Sequence, residues 1–80
     1  MKVQVLVRLK NGVLDVQGKA VEHGVVGLGF DEVSNIRIGK LIEFDFKDEP
    51  KDQVERRVTE LCNKLLVNGI IENFEIRTAA

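Results

Sequence analysis

The chain has 80 residues, 44% hydrophobic and 31% charged, with a formal net charge of −1. That is the size of one domain, residues 1–80, and too neutral a chain to hold a phosphate backbone, so no nucleic-acid partner is expected. One cysteine (Cys62) and one histidine (His23) exclude an intrachain disulfide and a Cys/His zinc site. No apolar run approaches the ~20 residues of a membrane span. Met1-Lys2-Val3-Gln4-Val5 has no signal-peptide character, and a cytoplasmic location without membrane contact is the expectation. A domain of this length has little stability to spare, and with disulfide and metal set aside a protein partner is the remaining support.

Val3, Val5, Val7 and Leu9 alternate with Lys2, Gln4, Arg8 and Lys10, the period of a half-buried strand, with Leu6 breaking the polar face. Lys10-Asn11-Gly12 supplies a turn. Asp15 is placed to cap a helix whose Ala20, Val21, Val25 and Leu28 share a face, and Gly29 suits its left-handed C-terminal residue. Gly18, Gly24 and Gly27 weaken that helix by roughly 1 kcal/mol each relative to Ala, so packing must hold it.

From Val33 to Phe46 the apolar phase stays on the even positions, Ile36, Ile38, Ile42, Phe44 and Phe46, straight through Gly39-Lys40. A two-residue hairpin turn would preserve that parity too, but one long strand needs fewer assumptions. At ~3.3 Å per residue it would run about 46 Å, against a diameter of about 30 Å for a compact chain of this length. It must therefore bend at Gly39 or carry half its length onto a second subunit. Lys40 falls in the apolar phase, where a bend would release it to solvent or a partner would satisfy it.

Asp48-Glu49-Pro50 opens a second helix, with Pro in the first turn and Val54, Val58, Leu61, Cys62 and Leu65 as its apolar stripe. Asn68-Gly69 ends it, and Ile70 to Arg77 reads as a last strand. The fold class is α+β: a two-layer β-α-β-α-β domain, an antiparallel sheet on two helices, related to the ferredoxin-like plan and extended across a dimer.

No constellation of residues supplies chemistry. Gly24-Val25-Val26-Gly27-Leu28-Gly29 resembles a phosphate loop, but such a loop precedes a helix and this one closes it. His23 has no Ser, Cys or second His near it in sequence, and Cys62 lies on a core stripe. Asp45, Asp48, Glu49 and Asp52 read as a solvated helix start rather than a metal loop. The expectation is no catalytic residue, no metal and no cofactor on this chain.

Gly12-Val13-Leu14-Asp15, Gln17-Gly18, Ala20-Val21, Leu28-Gly29-Phe30, Val33 and Ile36-Arg37-Ile38-Gly39-Lys40 resemble the PurS family, the small subunit of phosphoribosylformylglycinamidine synthase. The likeness continues at Cys62, Lys64-Leu65-Leu66, Asn68, Ile71-Glu72 and Phe74, across nearly the whole chain. Val16 and Gly69 depart from it, standing where the family has proline. The resemblance implies a non-catalytic subunit of an ATP- and glutamine-dependent amidoligase of purine synthesis. ATP and magnesium then belong to the large synthase subunit PurL, and ammonia release to the glutaminase PurQ. PurS-like dimers bridge the two and support ammonia transfer, so a homodimer, or a tetramer built from it, is implied. Gly12, Asp15, Gln17, Gly18, Arg37, Gly39 and Lys40, with Phe44 and Phe46, are the candidate subunit-interface residues. The competing reading is a stand-alone regulatory domain of the ACT type that binds a small molecule.

Overall fold

The computed structural model describes residues 1–79. Its elements are β1 (Lys2–Leu9), α1 (Val16–Gly27), β2 (Lys40–Asp45), α2 (Lys51–Leu61) running on into a π turn (Cys62–Leu66), and β3 (Glu72–Ala79). The strands make one antiparallel sheet in the order β2-β1-β3. This is the α+β class expected from the alternation of strand and helix patterns.

Strict alternation in β1 puts Val3, Val5 and Val7 on one face, and all three are essentially solvent-free. Across the ladder Val3 lies between Phe44 and Thr78, Val5 between Ile42 and Ile76, and Val7 between Lys40 and Phe74. Val54 and Val58 of α2 and Cys62 at the start of the π turn, spaced i, i+4 and i+8, close over that face. Each of these buried side chains contributes about 1.5–3 kcal/mol relative to exposure. Burial also makes the Cys62 thiol harder to ionise, raising its pKa.

The stripe differs from the expected one after Cys62. The Val67 amide donates to the Cys62 carbonyl at 3.0 Å, five residues back, so the last turn is wider than an α turn. The added residue passes the inward position from Leu65, which is 75% exposed, to the half-buried Leu66, and delivers Val67 into the core. Leu61 sits at the stripe's edge. Pro50 is the cap of α2 rather than a member of its first turn. β3 begins at Glu72 and not Ile70, because the Ile71 and Glu72 amides both donate to the Asn68 carbonyl and hold 68–71 as a turn.

The single strand over residues 33–46 does not form. Only Lys40–Asp45 pairs with β1. Upstream, Asn35 turns the chain through φ 57°. The next alternate amides are taken by side chains of the α1 region. Ile36 donates to Glu22 Oε1 at 3.1 Å, and Ile38 to Asp15 Oδ2 at 2.7 Å. Apolar alternation made this stretch look like a strand, but its hydrogen-bond donors are spent on carboxylates.

α1 begins and ends as its sequence dictates. Asp15 accepts from the Gly18 amide at 2.8 Å. At the other end the Gly29 and Phe30 amides donate to the Val26 and Val25 carbonyls, a Schellman closure with Gly29 in the left-handed region. Its apolar residues are nonetheless open to solvent: Val21 is 41% and Leu28 77% exposed. The sheet face is covered by α2, while α1 stands away from it. The radius of gyration, 15.9 Å, accordingly exceeds the ~11.6 Å of a compact chain of this length, and the longest dimension is 48 Å.

Candidate subunit interface

Seven of the nine residues singled out in the sequence converge where β1 ends, α1 begins and β2 starts. Asp15 is the hub and is only 5% exposed. One carboxylate oxygen caps α1 through Gly18, and the other takes the Ile38 amide. The Ile38 N–H, then that of Gly18, then the charge of Arg37 hold the Asp15 carboxyl below its ordinary range. Gly18 has to be glycine here: a Cβ would stand 2.5 Å from the Ile36 carbonyl oxygen and 2.7 Å from Asp15 Oδ2. Gly39 is equally constrained, with 2.5 Å between its missing Cβ and the Val7 carbonyl. These two close approaches seat the 36–39 segment against both α1 and β1.

Around this seam lie three adjoining clefts of about 360, 300 and 240 Å³. Gly12 and Arg37 line the second, and Gln17, Gly39 and Lys40 line the third. Arg37 Nη2 donates to the Lys10 carbonyl at 3.3 Å, tying the segment to the β1–α1 turn. Lys40 reaches solvent, its side chain 55% exposed, and its Nζ lies 3.6 Å from Glu72 of β3. Phe44 and Phe46 do not join the seam. They are half-buried at the other end of β2, against the core margin, where the Phe46 amide donates to the Met1 carbonyl.

Three residues of the seam escaped the sequence reading. Glu22 lies seven residues after Asp15, two turns along the same helix face, and that spacing is the signal that could have found it. Asn35 is the kind of residue that tolerates the left-handed region. Lys10 spans from the turn to the Gly69 carbonyl at 2.8 Å. His23 is exposed. Asp45 faces Lys2 at 3.4 Å and Asp48 the N-terminal ammonium at 2.9 Å, which also lowers the Asp48 pKa. Among the described residues no group of three His, Cys, Asp or Glu side chains is gathered that could hold a metal, and no helix is long and apolar enough to cross a membrane.

Residues 2–80 match the family model described as PurS: Phosphoribosylformylglycinamidine (FGAM) synthase. The chain belongs to the PurS family. It is 42% identical over 73 residues to the phosphoribosylformylglycinamidine synthase subunit PurS of Bacillus subtilis, covering 91% of this chain and 86% of that one. It is 34% identical over 76 residues to the Methanocaldococcus jannaschii subunit, covering 95% and 92%. Solved structures agree. A B. subtilis PurS crystal form superposes with a TM-score of 0.83 at 41% identity, over 95% of this chain and 94% of that one. A chain from the structure of PurLQS from Thermotoga maritima gives 0.86 at 29% identity, over 95% and 93%. As a PurS chain, the protein is a subunit of phosphoribosylformylglycinamidine synthase, an enzyme of purine biosynthesis.

Proposed function

We propose that this PurS chain is the non-catalytic connector of its synthase, bridging a large PurL-type synthase subunit and a PurQ-type glutaminase and supporting transfer of ammonia between them. The observation that carries the reading is the near full-length match to PurS, joined to a chain whose seam is built from packing and backbone hydrogen bonds rather than from a nucleophile and base. In this reading ATP and magnesium are held by the large subunit, the complex is cytoplasmic, and the chain acts as a homodimer whose second copy covers surface such as the exposed apolar face of α1. The seam residues Gly12, Asp15, Gln17, Gly18, Arg37, Gly39 and Lys40 hold the contact surface in shape, with Phe44 and Phe46 as further interface candidates. The ACT-type regulatory reading is not favoured, since every similarity reported above is to PurS.

The test is reconstitution. The chain is expected to co-purify with the large and glutaminase subunits and to be required for glutamine-dependent activity; activity unchanged in its absence would defeat the connector role. Arg37→Ala combined with Lys40→Ala is expected to weaken assembly, and unaltered assembly would remove those two residues from the interface. Analytical ultracentrifugation decides the dimer separately, a stable 9.0 kDa monomer at micromolar concentration being the adverse result.

A further inference from the structure

The outer face of the sheet, turned away from α2, is charge-balanced at one end and not at the other. At the Lys2 end, Lys2 faces Asp45 at 3.4 Å and the Gln4 amide donates to Glu43 at 2.9 Å. At the opposite end lies the 360 Å³ cleft, lined by Leu6, Arg8, Arg37 and Leu41, with Gly39 and neighbouring backbone as its floor and no carboxylate in its wall. The ladder places Leu6 directly opposite Leu41, which is 54% exposed. The Arg8 side chain lies beside Gly39, its Cγ 3.6 Å from where a Cβ of residue 39 would stand. Lys40 also borders the cleft, but its ammonium is turned to Glu72. Arg37 has no carboxylate within ion-pair distance among the described residues, and Arg8 reaches Glu75 only at the 4.0 Å limit. Two guanidiniums thus flank a pair of leucines on a chain whose net charge is −1.

We infer that this cleft is a docking site for an acidic segment of one of the larger synthase subunits, one presenting a carboxylate to Arg8 and Arg37 and an apolar side chain to Leu6 and Leu41. The occupant's chemistry follows from complementarity. Guanidinium forks match carboxylates in bidentate geometry, and Leu41, more than half exposed beside the half-buried Leu6, favours burial against another apolar group. The inference rests on the connector reading and adds to it the surface, the charge of the partner segment and a role for Arg8, Leu6 and Leu41.

The experiment measures association of the full chain with the large subunit, the glutaminase and their complex at 50 and 300 mM NaCl. Arg8→Glu with Arg37→Glu is compared with Lys47→Glu with Arg56→Glu, an equal charge change away from the cleft, and with the conservative pair Arg8→Lys with Arg37→Lys. The cleft reversal is expected to weaken binding at least tenfold at low salt and to flatten its salt dependence. The remote reversal should have little effect, and the lysine pair, which keeps the charge but loses the fork, should bind more weakly than wild type and clearly better than the reversal, which separates docking from misfolding. Leu41→Ala should weaken binding without changing the salt slope. Equal losses from cleft and remote reversals, or none from either, overturn the docking site while leaving the connector intact. No association by the wild-type chain overturns both. A cleft reversal that alters only the mass of the chain alone assigns the cleft to a second copy and overturns the partner assignment.

Discussion

The two helices of this chain are similar in length and opposite in what holds them. α2 is seated by burial: Val54, Val58 and Cys62 have no solvent exposure beneath the sheet's valines. α1 is seated by polar contacts at its first turns, where Asp15 and Glu22 take backbone amides of Ile38 and Ile36, while Val21, Val26 and Leu28 face solvent. The hydrophobic effect is non-directional and scales with area, so α2 is fixed by how much it covers. A hydrogen bond is directional, so α1 is aimed rather than buried. The chain uses both: one helix closes the core, and the other leaves an apolar face open to solvent.

The sharpest way to break this contrast is at α2. Val58→Ala is expected to cost about 2–3 kcal/mol, read as a lowered urea midpoint and a fall in Tm of roughly 10 °C or more. A loss below about 1 kcal/mol would mean the sheet is not sealed by this helix. Gly18→Ala comes next, at about 1–3 kcal/mol, because the new methyl meets the Ile36 carbonyl and the Asp15 carboxylate. Hydrogen exchange should show the Ile38 amide losing protection in this variant before the β1 amides do. Unchanged protection would mean the seam yields without opening.

Asp15→Asn probes the polar anchor through pH. The native Asp15 carboxyl titrates below its ordinary value, so folding favours its ionised form. Its contribution is complete above the unfolded value of about 4 and is lost as pH falls through the lower native value. Urea midpoints of the wild type should therefore fall more steeply than those of Asp15→Asn below about pH 4. Parallel profiles would show that the carboxylate is not the anchor. The smallest effect is expected at Leu28→Ala, within about 0.5 kcal/mol, because the side chain is already 77% exposed. A loss matching that of Val58→Ala, growing with protein concentration, would show α1 buried against another chain.

The elements themselves were legible because each rests on local chemistry. Alternation in β1, the Asp15 cap, the Gly29 closure and the i, i+4, i+8 line of α2 are properties of neighbouring residues, and the structure keeps all of them. The candidate seam was legible in its members but not in its connections. Arg37, Gly39 and Lys40 were named through the resemblance to PurS, whereas Glu22, which binds the same segment from fourteen residues away, carried only its helical spacing. The reading of 33–46 as one strand failed for a related reason: apolar alternation reports which side a residue faces, not what its amide donates to. In the π turn the difference is one residue, enough to exchange Leu65 for Leu66 in the core.

One cysteine, one histidine and almost no net charge determined by themselves that an intrachain disulfide and a Cys/His zinc site are out of reach, and a resemblance to PurS is written through most of the chain's length. Only the tertiary structure decided where its strength lies and where its free surface is. It gave the core to α2 and left α1's apolar face and the Arg8–Arg37 cleft exposed, because three strands present one protected face and a single helix fills it. Local preferences specify which helices form. Which of them is buried depends on the area available beneath them, and that is known only once the sheet is assembled.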